Sequence, residues 1–369
     1  MAFSFGNIFD SLSSLTSQIG RHESESVLGV DIGTSSIKIV QAREVKGSAM
    51  LENYAEIALG PYAGAEVGQA VNPTPEKVAE ALGDVLKAAN ITARTGGFSV
   101  PLSGSLISVI NLPTRDTSTF QTMIPIEARK YIPVPVSEVA LDWFAIPEEE
   151  EKFLEPNKAA EHANTTDVLL VAIHNQVLER LGTITKTAGT SPRFFEVEPF
   201  SMARASYEHT TTPVMLIDLG ASSTRIYVIE FGIISVSHTV PRGAQDLTLA
   251  LAKSQSITFQ EAESAKREKG ITKADAGSAV LDFIFSEARR IYLTYQRKEG
   301  KVISGVVLLG GGAELKGIRD SAAKFFDANV VLGNPFEKVA APAFIADVLK
   351  ETGPSFSSAI GLALRALQT

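Results

Sequence analysis

Cysteine is absent from all 369 residues. That excludes disulfides, thiolate metal sites and a thiol nucleophile, and it agrees with a reducing compartment. Long apolar runs are missing too. The richest, Val168 to Ile173 and Val302 to Leu309, fall far short of the roughly 20 residues that a spanning helix needs and are read as buried strands. No charged start, apolar core and small-residue cleavage site opens the chain, so a cytoplasmic location is expected. Positive charge is not in excess: 34 Lys+Arg stand against 42 Asp+Glu, a formal −8. This speaks against a nucleic-acid partner bound by broad phosphate neutralisation. The phosphate loop Gly-x4-Gly-Lys-Ser/Thr, the dinucleotide fingerprint Gly-x-Gly-x-x-Gly and the elbow Gly-x-Ser-x-Gly are all lacking. The five histidines (His22, His162, His174, His209 and His238) show no close ligand spacing, which argues against a zinc site.

What is present is the composition of a globular protein, 44% hydrophobic and 21% charged, in a chain too long for one core. Phe5, Ile8, Phe9, Leu12, Leu15 and Ile19 recur at helical spacing with polar residues between them. Such a stripe suits docking on a partner or self-packing; its polar face lacks the Lys/Arg of a membrane-surface helix. Arg21 to Ser26 reads as a linker. Val27 to Ala42 predicts a strand, a tight turn at Gly33 to Ser36 and a second strand. Pro75 opens a helix whose Val78, Leu82, Val85, Leu86 and Ala89 share a face. Strands are expected at Phe98 to Leu102, Leu106 to Leu112, Val139 to Ile146 and Val168 to Ile173. Helices are expected at Thr117 to Lys130, interrupted near Pro125, and at Gln176 to Ala188. Glu148 to Glu161 is acidic and holds Pro156, the mark of a solvated loop. Beyond Pro199 a helix, a hairpin at Val214 to Ile234, helices near Ala244, Phe259 and Ala279, a strand at Val302 to Leu309 and a closing helix at Ser355 to Leu367 follow.

The organising feature is an internal repeat. Leu28-Gly-Val-Asp-Ile-Gly-Thr-Ser-Ser-Ile-Lys-Ile-Val near the start returns as Leu216-Ile-Asp-Leu-Gly-Ala-Ser-Ser-Thr-Arg-Ile-Tyr-Val. Asp31 matches Asp218, Gly33 matches Gly220, Ser35 and Ser36 match Ser222 and Ser223, and Lys38 matches Arg225. A turn of small residues between strands offers backbone N–H groups to phosphate oxygens, and glycine allows close approach. The phosphate-binding candidates are therefore Gly33, Thr34, Ser35, Ser36 and Lys38 in one copy, with Gly220, Ala221, Ser222 and Ser223 in the other. The aspartate at each strand end, Asp31 and Asp218, offers hard oxygen to Mg2+. Two ordinary hairpin turns with structural aspartates are the alternative. Gly310, Gly311, Gly312 and Ala313 follow a strand, where a flat base or ribose can lie against backbone. Glu263, Lys266 and Arg267 share one helix face and can reach one ligand, although such a trio is more often a solvated charged face.

These residues resemble the actin-like ATPase superfamily. Asp31 to Lys38 looks like its first phosphate motif, Asp218 to Ser223 its second and Leu308 to Ala313 its adenosine motif. Glu198-Pro-Phe-Ser-Met-Ala-Arg-Ala and Ser357-Ser-Ala-Ile-Gly-Leu-Ala look like its two interdomain connectors. The resemblance implies that Glu198 orients attacking water as the catalytic residue, and that Glu263, Lys266 and Arg267 contact ribose and base. Glu127-Ala-Arg-Lys-Tyr-Ile-Pro, Leu141-Asp-Trp, Arg242-Gly-Ala-Gln-Asp-Leu-Thr and the helix start at Glu261 are similar to the PilM family of type IV pilus assembly proteins.

What the resemblance implies is an α/β actin-like ATPase fold: duplicated ribonuclease-H-like domains with an α+β insert of the FtsA/PilM type in the first. The expected division is 1–26 as an amphipathic segment and linker; 27–104 with 194–213 and 355–369 as the first subdomain; 105–193 as the insert; 214–243 with 302–354 as the second subdomain; and 244–301 as a helical nucleotide cap. The implied function is an ATP- and Mg2+-binding scaffold with at most weak ATPase activity, at the inner face of the cytoplasmic membrane. It would dock the N-terminal cytoplasmic tail of a PilN-like single-span membrane protein and meet other pilus assembly components, or those of a related type II secretion machine. Membrane association would run through partners, and self-association is left open. An FtsA-like division protein and a sugar kinase are the rivals. The first would end in a basic amphipathic helix, which Leu364-Arg-Ala-Leu-Gln-Thr does not provide; the second needs a catalytic aspartate, for which the insert offers no candidate.

Overall fold

A computed structural model describes residues 25–147, 164–208 and 212–369. The amphipathic stripe before Arg21 and the acidic stretch over 148–161 lie outside the described residues.

The two copies of the repeat seed two sheets of one design. In the first, β1 (Val27–Ile32), β2 (Ser36–Val45) and β3 (Ser48–Ala58) form an antiparallel meander, and β4 (Thr95–Val100) and β8 (Ser191–Val197) extend it in parallel, in the order β3-β2-β1-β4-β8. In the second, β9 (Val214–Leu219), β10 (Thr224–Glu230) and β11 (Ile233–Val240) form the meander, and β12 (Gly305–Leu309) and β13 (Asn329–Leu332) extend it, in the order β11-β10-β9-β12-β13. Strands β1 and β9 are near-continuous apolar runs because they are covered on both faces. The register is equivalent in the two halves: Asp31 sits opposite Lys38, and Asp218 opposite Arg225. A third sheet, β5 (Ser105–Leu112), β7 (Thr166–His174) and β6 (Val139–Ala145) in the order β5-β7-β6, packs on the Phe120–Ala128 helix through Ile110, Leu112, Phe120, Ile124 and Val168.

Helices cover the first sheet from both sides. Pro75–Ala88 starts with proline at its first position, where a missing N–H costs nothing, and buries Val78, Leu82, Val85 and Leu86. Beside it lies Asn175–Thr187, whose Leu178, Leu181 and Ile184 enter the same core. The opposite side is closed by Ser357–Ala366, buried along nearly its whole length. Two glycines allow this approach. A Cβ on Gly29 would run into the Ala359 carbonyl, and one on Gly361 into the Ser201 carbonyl of the Glu198–Ser206 helix. Ser201 and Ser358 hydrogen-bond at 3.1 Å where these helices cross. Glu196 on β8 then ties the region with a buried fork: Arg204 at 2.8 Å and Arg365 at 2.7 Å. Burial opposes its charge, but the two guanidiniums outweigh that and hold the Glu196 carboxyl below the usual range.

The structure redraws three expected segments. The three-stranded sheet takes only part of 105–193, since Asn175–Thr187 packs on the first core and β8 pairs with β4. The segment expected to stay in the second subdomain to 354 returns earlier: Phe336, Val339 and Leu349 pack with Val40, Leu51 and Phe356 on the first sheet, and Ala340 exchanges backbone hydrogen bonds with Ala49 and Leu51. The strand expected from Val302 begins at Gly305, and Val302 is 70% exposed. Its apolar character marks the approach to the strand rather than the strand.

Candidate functional site

Each repeat turn is closed locally. The Gly33 N–H donates to the Ser36 carbonyl at 3.0 Å, and the Gly220 N–H to that of Ser223 at 3.1 Å. The first sheet carries one turn and the second sheet the other, yet they meet: Thr34 Oγ1 lies 3.3 Å from Ser222 Oγ. Around this junction is a cavity of about 630 Å³, within the range of small-molecule sites. It is lined by Asp31, Gly33, Thr34, Ser35, Ser36, Lys38, Glu198, Asp218, Gly220, Ala221, Ser222, Ser223, Glu263, Lys266, Arg267, Gly310, Gly311 and Gly312. Arg225 and apolar residues such as Val78, Leu181 and Met202 line it as well; of the residues that the sequence singled out, one is not there. Ala313 is fully buried in the core of the second domain and does not line the cavity, because the short helical turn at Gly311–Glu314 aims it inward.

The Phe259–Lys269 helix begins with a capping box, in which Thr258 and Glu261 satisfy each other's backbone N–H. Its polar trio is not a solvated face. Glu263 and Lys266 are buried, and Glu263 accepts from Lys266 at 2.6 Å, from Thr248 at 2.6 Å and from Arg267 at 2.7 Å. Burial works against the Glu263 charge, and Lys266 with its neighbours more than compensates, leaving the carboxyl below its usual range. Burial also pushes the Lys266 ammonium down. Arg267 remains largely exposed at the cavity mouth.

At the cavity floor two carboxylates, Glu198 and Asp218, share one guanidinium. Glu198 opens the Glu198–Ser206 helix and is 3% exposed. Its Oε2 accepts from Arg225 at 3.2 Å and from the Leu102 N–H at 3.3 Å. The same Arg225 nitrogen reaches Asp218 Oδ2 at 3.2 Å. Burial raises the Glu198 carboxyl, Arg225 lowers it, and Asp31 and Asp218 raise it, so that the balance lies at about 7. Asp218 is likewise raised, by burial first. Asp31 Oδ1 is buried and has no hydrogen-bond partner, while Lys38, opposite it in register, turns away to Glu56 at 2.9 Å and Ser36 at 2.7 Å. Arg225 is the functional candidate that sequence reasoning left out. Its signal was visible, since it holds the place of Lys38 in the second copy.

The orphaned Asp31 oxygen is what a hard cation would satisfy, and Mg2+ is commonly held by one or two carboxylates plus substrate phosphates. The donor set fits such an ion, with Asp31 the better-disposed carboxylate because Asp218 is already engaged. Among the described residues no cluster of three or more His, Cys, Asp or Glu side chains forms a ready metal site. Among the same residues no helix is long and apolar enough to cross a membrane.

Two equivalent sheets with facing Asp-x-Gly turns, an α+β insert and a cleft between them define an actin-like ATPase fold. Solved structures agree: this chain is similar to a PilM-PilN type IV pilus biogenesis complex, with a TM-score of 0.79 and 24% identity, covering 94% of this chain and 100% of that one. It is also similar to the ethanolamine utilization protein EutJ from Carboxydothermus hydrogenoformans, with a TM-score of 0.52 and 18% identity over 94% and 92%. Among curated sequences it is 25% identical to the cell division protein FtsA of Neisseria meningitidis serogroup B, over 90% of this chain and 88% of that protein. The family described as type IV pilus assembly protein PilM matches residues 29–367. The chain belongs to the PilM family of type IV pilus assembly proteins.

Proposed function

We propose that this chain is an ATP-binding scaffold of the type IV pilus inner-membrane assembly complex, and that its cleft takes Mg-ATP between the two turns. The observation that carries the reading is the juxtaposition of Thr34 and Ser222 at 3.3 Å, which brings two nests of backbone N–H groups to one cavity. In this reading Gly33 to Ser36, Lys38 and Gly220 to Ser223 hold the phosphates. Gly310 to Gly312 and the Glu263, Lys266, Arg267 trio border the nucleoside. Asp31 and Asp218 hold the Mg2+, which would neutralise phosphate charge.

Glu198 is the candidate for orienting water. Its shared hydrogen bonds with Arg225 and Leu102 favour a slow reaction, in line with nucleotide acting mainly on conformation. Cleft closure shifts a partner surface only if nucleotide binds open and closed states unequally. The partner we assign is the short cytoplasmic tail of a PilN-like membrane protein, docking between the first subdomain and the insert; the similarity to a PilM-PilN complex supports a PilN-like partner. Membrane association would then run through that partner. Calorimetry tests the site: Mg-ATP should bind the parent, and Asp218→Ala should abolish the heat of binding. Equal affinity in the two proteins removes the site assignment.

A further inference from the structure

Both copies of the repeat place a cation opposite the aspartate that ends the first strand, yet the two cations behave differently. Lys38 leaves Asp31 for Glu56, whose side chain is 46% exposed. Arg225 is buried to the same degree as Lys38, 13% against 12% exposed, but stays on the aspartate of its own sheet, Asp218. From there it reaches Glu198 at 3.2 Å, on a helix that belongs to the first domain. Arg225 therefore bridges the two domains at the cleft floor, and it lines the cavity beside Ser222 and Ser223. The guanidinium is planar and has five donors in a fixed fork, a geometry matched to phosphate as well as to carboxylate.

We propose that Arg225 is a specificity-determining residue that reads the terminal phosphate of a nucleoside triphosphate, exchanging Glu198 for that phosphate as its partner across the cleft. The inference rests on the nucleotide reading of the site. It deepens that reading by naming the group that separates triphosphate from diphosphate. The carboxylates around Arg225 make the exchange reversible. Asp218 keeps the guanidinium aimed into the cleft in either state, and Glu198 occupies it when no phosphate is present. A triphosphate supplies the competing oxygen, whereas a diphosphate, one phosphoryl group shorter, leaves Arg225 on Glu198. The bridge between domains is thereby rewritten by the length of the phosphate chain.

The experiment is calorimetry of Mg-ATP and Mg-ADP with four proteins: the parent, Arg225→Lys, Glu198→Gln, and the double variant Arg225→Met with Glu198→Gln. The double variant avoids leaving Glu198 charged and stranded, and circular dichroism verifies each fold. A hydrogen bond to a charged group supplies about ten- to hundredfold in affinity. The double variant, compared with Glu198→Gln alone, should lose about that much for ATP and less than about threefold for ADP. Arg225→Lys, which keeps charge and loses the fork, should fall between. If ATP and ADP weaken by one common factor, or neither changes while the parent binds both, the assignment of Arg225 is overturned and the nucleotide site stands. If the parent takes up neither nucleotide, the site reading and this inference fall together.

Discussion

Asp31 and Asp218 hold one position in two copies of the same strand-turn-strand unit, and their surroundings could hardly be matched worse. Asp218 is tied to Arg225, which is tied in turn to Glu198; Asp31 has a buried oxygen with no partner. Across the sheet, both cations are mostly buried, Lys38 12% and Arg225 13% exposed, but the first pairs with a half-exposed glutamate and the second with two buried carboxylates. Duplication has conserved the backbone of the turn and divided the electrostatics: one half leaves its aspartate oxygen without a partner, the other pairs its aspartate with a cation. A cleft so divided suits a ligand that carries both signs, such as a polyphosphate accompanied by a metal ion.

The largest expected effect sits on the resident cation. Arg225→Met strips the only side-chain positive charge bonded to Glu198 and Asp218 among the described contacts, leaving buried carboxylates uncompensated. Removing one partner of a buried pair typically costs about 3–5 kcal/mol. The equivalent change in the other copy, Lys38→Met, breaks a pair in which the lysine is buried but the glutamate is 46% exposed and screened by water, so the loss should be smaller, about 1–2 kcal/mol. Urea denaturation of the two variants at pH 8 measures the contrast. Equal losses would mean that the two halves are electrostatically alike.

An intermediate effect is expected from Glu198, and its sign can be worked out. Burial lifts its folded-state value to about 7, above the ordinary 4.5. Between those values the folded protein holds a proton that the unfolded chain has released, so stability falls as pH rises through that window and levels off above it. Glu198→Gln carries no such proton. Its stability should be flatter between pH 4.5 and 7 and exceed that of the parent at pH 8 by about 1–3 kcal/mol. Denaturant midpoints taken across that range check it. A parent curve that rises with pH there, with the variant flat, would show that Arg225 outweighs burial and that the second half is fully compensated.

The repeat was legible because its information is local: Asp-x-Gly, a small-residue turn and two apolar strands are contiguous in sequence, and their register follows from the turn. The same locality made the Pro75 helix and the glycine turn at 310–312 readable. What escaped was long-range or short. Strand β13 has four residues, too few for a period, and β8 carries Pro192 and Arg193 at its start and becomes a strand only beside β4. The return of Phe336, Val339 and Leu349 to the first sheet has no periodic signature at all. Arg225 was visible as the counterpart of Lys38, but its bond to Glu198 joins residues of different domains, which no spacing in the sequence announces. The division of labour between the copies therefore emerges only when both domains are in place.

The smallest expected effect concerns the point where the two copies touch. Thr34 Oγ1 and Ser222 Oγ are 3.3 Å apart and exposed, a long hydroxyl contact open to water on both sides. Water can replace such a bond at little cost, so Thr34→Ala should change stability by less than about 0.5 kcal/mol. The turns would then be neighbours held in place by their sheets, with Arg225 and Glu198 supplying the stronger side-chain link across the cleft floor. A loss of about 1.5 kcal/mol or more, the cost of leaving a polar group unsatisfied, would reverse that ranking. It would make the turn-to-turn contact a structural fastening in its own right and weaken the case that the space between the turns is kept for a phosphate.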